Sequence, residues 1–96
     1  MTPEKKVKAR AVKVLKRLGC WYFFPFSGGY GRVGVPDIIC CFRGRLIAIE
    51  CKAGSKGPTR LQKLEMETIE RAGGVSILFN EDVSPDQLEQ WITAVQ

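Results

Sequence analysis

The sequence of 96 residues contains no histidine. That absence removes the usual general base at neutral pH, the histidine-dependent nucleophilic triads and most zinc-ligand sets. Four cysteines are present, Cys20, Cys40, Cys41 and Cys51, but no two form a C-x-x-C pair. Three of them stand inside apolar runs, where a reduced thiol behaves as a small apolar side chain. No apolar run approaches the roughly 18 residues of a membrane span. The opening Met1-Thr2-Pro3-Glu4-Lys5-Lys6 has no apolar stretch behind it that could act as a secretory signal. These gaps predict a cytoplasmic protein with reduced cysteines, no membrane association and no small-molecule substrate. At this length a single domain, residues 1–96, is expected. Any catalysis is left to carboxylates, lysine and a metal held by oxygen ligands.

Acidic residues are scarce in one part of the chain. Residues 1–60 hold 13 of the 15 Lys/Arg but only three of the ten Asp/Glu, and the net charge is +5. A phosphate backbone is the large anionic partner that suits such an asymmetry. On charge alone, a solvated basic helix explains it as well.

Thr2 followed by Pro3 is a helix start, with Val7, Ala11, Val14, Leu15 and Leu18 recurring at helical spacing up to Gly19. Glu4 falls on the same stripe, within about 20° of Ala11 at 100° per residue. Cys20–Phe24 reads as an aromatic strand and Pro25–Gly34 as a glycine-rich loop. Val35–Phe42 and Leu46–Cys51 read as two strands joined by a tight turn at Arg43-Gly44-Arg45. After a loop at Ala53–Pro58, a helix begins at Thr59, with apolar positions Leu61, Leu64, Thr68, Ile69 and Ala72, and stops at Gly73-Gly74. Val75–Phe79 is a further strand, and Ser84-Pro85 opens a last helix through Leu88, Trp91, Ile92 and Val95. The order α-β-β-β-α-β-α predicts an α/β fold, a mixed sheet with helices packed against it.

Charged residues stand where these strands should be apolar. Asp37 interrupts Val35–Phe42, and Glu50 and Lys52 follow Leu46-Ile47-Ala48-Ile49. Alternation places Glu50 and Lys52 on one face. A short turn makes the two strands antiparallel neighbours, which brings Asp37 close to Glu50 at the end far from the turn. Converging carboxylates repel unless a cation lies between them, and a hard ion such as Mg²⁺ prefers oxygen ligands. The backbone carbonyl of Cys51 lies between the two side chains and could add another. Lysine beside such a site can position water or stabilise charge on a phosphoryl oxygen. Phosphodiester hydrolysis needs these parts and no histidine.

Pro36-Asp37, a gap of 12 residues and then Glu50-Cys51-Lys52 resemble the P-D…(D/E)-x-K motif of the PD-(D/E)XK nuclease superfamily. Glu4 in the first helix, Gly34-Val35-Pro36-Asp37, Ile49-Glu50-Cys51-Lys52 and Gln62 resemble the VRR-NUC family within it. The resemblance runs from Glu4 to about Phe79 and implies a restriction-endonuclease-like αβββαβ core, here followed by a C-terminal helix. It implies a Mg²⁺-dependent endonuclease, with Mn²⁺ able to substitute, acting on branched DNA. Stand-alone members resemble Holliday junction resolvases of bacteria and phages and are expected to be homodimers. Asp37 and Glu50 would bind metal, Lys52 would be catalytic, and Glu4 would contribute directly or through water. Gln62 would join them, although Thr59-x-x-Gln62 is also a capping box that needs no active site. Ser27, Tyr30 and Arg32 of the glycine-rich loop, and Lys56, are candidate phosphate contacts. A second copy would meet either the aromatic strand or the last helix with Trp91. A flap- or duplex-cleaving nuclease, or a DNA-binding module without activity, are the alternatives.

Overall fold

A computed structural model describes residues 1–26 and 32–94. The first helix, α1 (Pro3–Leu18), starts where Thr2 accepts the Lys5 N–H at 3.2 Å and ends at Gly19. Its buried residues are Val7, Ala11, Val14 and Leu15, the predicted stripe. Strand β1 (Trp21–Phe23) is shorter than its aromatic run. β2 (Ile38–Phe42) and β3 (Arg45–Cys51) form a hairpin, and β4 (Val75–Phe79) has the predicted bounds. Helix α2 (Arg60–Arg71) precedes β4, and α3 (Pro85–Thr93) ends the fold. Val95, expected in the last helix, lies outside the described residues.

The sheet order is β1-β2-β3-β4, antiparallel except for the parallel β3–β4 pair. It is thus a mixed sheet carried on an αβββαβ order, with α3 added. Ile38, Cys40, Ile47, Ile49, Cys51, Ile77 and Phe79 point to one face and form the core with α1 and α3. Arg17 ties these two helices through Glu89 at 2.8 Å. All four cysteines are free thiols.

Helix α2 lies on the other face, where the Ser76 hydroxyl donates to the Met66 carbonyl at 3.0 Å. Its packed side differs from the expected stripe. Gln62, Glu65, Met66 and Ile69 are half-buried, whereas Leu61 and Leu64 remain exposed. The two stripes differ by about a quarter turn at 100° per residue. The close seat of Gly34 on the helix start constrains that rotation. A Cβ on Gly34 would stand 2.8 Å from the Leu61 carbonyl carbon and oxygen, and Gly34 has φ +82°. Only glycine combines that approach with that conformation.

Candidate active site

The β2–β3 register decides the site. Ile38 pairs with Ile49, so one step toward the open end sets Asp37 across from Glu50. Opposed residues share a face, and Lys52 shares it by alternation. It is the face that α2 covers, opposite the α1 side.

Asp37 itself stands just before β2, rather than within a strand beginning at Val35. The reason is a side chain acting as backbone. Asp37 Oδ2 accepts the Cys51 N–H at 2.7 Å, where a continuing ladder would offer a carbonyl. The preceding Pro36 has no N–H to donate to a ladder.

Glu50 is the buried charged residue of the described fold, only 2% exposed. Its Oε2 has no hydrogen-bond partner among the described residues. Burial pushes its pKa up to about 9, and the hydrogen bond and charge of Asp37 push the same way; Lys52 opposes them and Glu4 adds a smaller push. Metal-free Glu50 is therefore held toward its protonated form, by burial first and by Asp37 next. An orphaned buried carboxyl oxygen is costly and calls for a partner that the described residues do not supply.

The Cys51 thiol is pushed up to about 12, first by burial and then by Asp37 and Glu50. A thiol held protonated is no nucleophile. What Cys51 offers is its main chain. A strand residue turns its N–H and C=O to the same side, so the carbonyl projects toward Asp37 with the N–H.

Two carboxylates, one with a free buried oxygen, and this carbonyl form a hard-oxygen donor set that fits a divalent cation displacing the proton. Among the described residues no three acidic or thiol side chains converge on one point. Water would have to complete the shell, as Mg²⁺ prefers.

The structure leaves the other candidates further out. Glu4 is exposed on the first turn, before α1 becomes buried at Val7, and reaches Glu50 only through its charge. With Lys56, Thr2, Pro3 and Ala53 it lines a recess of about 270 Å³. Gln62 faces the sheet, but its Oε1 accepts the Thr59 N–H at 2.8 Å while its own N–H donates to Thr59 Oγ1 at 3.2 Å. It is engaged as a cap. Arg32 pairs with Glu65 of α2 at 2.7 Å. Ser27 and Tyr30 lie outside the described residues. One further residue carries no signal in the sequence. Glu81 Oε1 accepts the Gly54 N–H and anchors the loop between Lys52 and Lys56. No local pattern announces a contact across 27 residues.

This sheet order, with a buried carboxylate at the open end of the central hairpin, is the restriction-endonuclease-like α/β fold. More narrowly, it is the fold of a solved VRR_NUC domain, which matches over 100% of both chains with a TM-score of 0.74 and 21% sequence identity. No protein-family model matches the sequence, and no curated protein matches it.

Proposed function

We propose that the protein is a VRR-NUC nuclease, a metal-dependent endonuclease that hydrolyses phosphodiester bonds in branched DNA, with four-way junctions as its substrate. The observation that carries this reading is the Asp37–Glu50 pair, with the orphaned Glu50 oxygen next to Lys52. A polyanion-binding protein without activity has no use for carboxylates turned toward phosphates. The shared VRR_NUC fold supports the same class.

Asp37, Glu50 and the Cys51 carbonyl would hold Mg²⁺, or Mn²⁺ in its place, with Glu4 acting through water from the rim. The ion would supply charge neutralisation at the phosphate and a more acidic water. Asp37 is already oriented by the Cys51 N–H, so it needs no rearrangement to act. Glu50 must first lose its proton, and Lys52 favours that loss. Lys52 would then hold the attacking water or the charge developing on the phosphoryl oxygen. Gln62 would steady the helix start beside the site. Arg32, once released from Glu65, and Lys56 would contact phosphates.

A homodimer suits a substrate with two strands to cut. Trp21 and Phe23 support it: they are 63% and 44% exposed, with ring centroids 5.4 Å apart, on the α2 face of the sheet. Among the described residues no element covers that half of the face, and an open apolar sheet face fits a second copy. Free cysteines suit the reducing cytoplasm of a bacterium or phage-infected cell.

The test is cleavage of labelled four-way junctions, flaps and plain duplex with Mg²⁺ or with EDTA. Symmetric, metal-dependent nicking of junctions supports the reading. Equal cutting of duplex would replace the substrate assignment, and binding without cleavage would remove the activity.

A further inference from the structure

The outward side of α1 carries a second feature, which the active site does not use. Ala9, Val12 and Phe24 form the floor of an open groove of about 470 Å³, and Lys5, Lys8, Lys13 and Lys16 form its rim. At 100° per residue the four lysines occupy about 140° of the circumference, and they run roughly 16 Å along the axis. That length matches about five base-pair rises.

Folding does not explain the row. Lys5 and Lys8, and again Lys13 and Lys16, are neighbours one turn apart, and like charges at that spacing destabilise a helix. By contrast Arg17, on the same helix, is paired with Glu89. Among the described residues none of the four lysines has a carboxylate partner. Phe24 is equally unexplained by the core. It is 48% exposed, with the Lys8 ammonium 4.2 Å from its ring centroid and the Tyr22 ring 5.9 Å away.

The groove begins at the catalytic end of the molecule. Lys5 follows Glu4, and Phe24 follows β1, whose Phe23 pairs with Ile39, two residues from Asp37. The charge of Lys8 is felt at Cys51.

We propose that this groove is a second DNA-binding site, which takes an unpaired strand with one base against Phe24 and its phosphates along Lys5, Lys8, Lys13 and Lys16. A duplex hides its base faces, so an exposed aromatic ring flanked by cations fits a single strand better. The inference rests on the nuclease reading for its ligand and adds to it a separate hold on any unpaired strand next to the branch. Nothing in it depends on the metal.

Binding of a fluorescein-labelled single strand, a flap and a blunt duplex is measured by anisotropy in EDTA, between about 50 and 200 mM salt. Changing all four lysines to glutamine should weaken strand and flap binding about 100-fold and make the salt slope shallower by roughly three. Phe24→Leu should cost about tenfold for strand and flap and nothing for the duplex. Lys63→Gln with Arg71→Gln, on α2, should change neither. If the fourfold variant fails to melt cooperatively, Lys13→Gln with Lys16→Gln should show about half the slope change. Unchanged affinity and slope in the lysine variants, or an equal loss in the α2 control, would overturn the proposal. So would lysine-dependent binding to phosphatidylserine vesicles with DNA binding intact. Lysine-dependent binding by a wild-type protein that cuts nothing would uphold the groove and remove the nuclease reading. Cleavage by wild type with lysine-independent binding would do the reverse.

Discussion

The two ends of the β2–β3 hairpin follow different rules. At the turn end, Phe42 pairs with Arg45 across two residues, Arg43 at φ 51° and Gly44 at φ 81°. Positive φ at both positions gives the turn whose twist matches the strands, and glycine adopts it without strain. Arg43 lies over the Phe42 ring and Arg45 donates to the Gly73 carbonyl at 2.8 Å. At the open end the ladder stops early, a side chain replaces a backbone acceptor, and a carboxyl is buried with one oxygen unpartnered among the described residues. One end is built for folding alone. The other leaves a buried carboxyl oxygen without a partner among the described residues, which is the mark of a functional site.

Substitutions at the two ends should separate accordingly. The largest effect is expected from Lys52→Ala, which should slow junction cleavage about 100- to 1000-fold while leaving DNA affinity nearly unchanged. Single-turnover cleavage beside anisotropy checks it, and retained cleavage would show that another cation acts. Next comes Asp37→Ala, which strands the Cys51 N–H and should cost about 1–3 kcal/mol in urea unfolding. Asp37→Asn keeps an acceptor and should recover most of that stability, but not activity.

A third effect concerns pH. The folded-state pKa of Glu50, about 9, lies above its ordinary value of 4.5. A raised value contributes stability that is complete below about pH 4.5 and is lost as pH rises toward 9. The metal-free protein should therefore melt several degrees lower at pH 9 than at pH 5, and Glu50→Gln should flatten that part of the profile. A dependence unchanged in Glu50→Gln would assign it to other groups. The smallest effect belongs to the turn. Gly44→Ala should cost about 1 kcal/mol, from the left-handed backbone, and leave the cleavage rate of the folded protein unaltered. A large loss of rate there would break the contrast between the two ends.

Much of this was legible in the sequence because the signals are local. Thr2-Pro3 and Gly19 bound α1, and the short turn at Gly44 implies the antiparallel pairing that opposes Asp37 and Glu50. Strand alternation then puts Glu50 and Lys52 on one face. What stayed hidden depends on distant partners. The Asp37 bond to Cys51 ends β2 early, because a side chain can satisfy a strand N–H as a carbonyl does. The inward face of α2 is Gln62–Glu65–Met66–Ile69 rather than the more apolar Leu61–Leu64 stripe, and the approach of Gly34 constrains the rotation of the helix. Glu4 continues the inward stripe in angle, yet burial of α1 starts only at Val7, so Glu4 stays exposed and acts on Glu50 through its charge.

The most direct test of the account is calorimetric titration of Mn²⁺ into wild-type protein and Glu50→Gln near neutral pH, in buffers of different ionisation enthalpy. Wild type should bind the ion with release of a proton from Glu50, and the variant should bind at least tenfold more weakly with no proton released. Equal affinity and equal proton release in the two proteins would contradict the assignment of Asp37 and Glu50 as the metal centre.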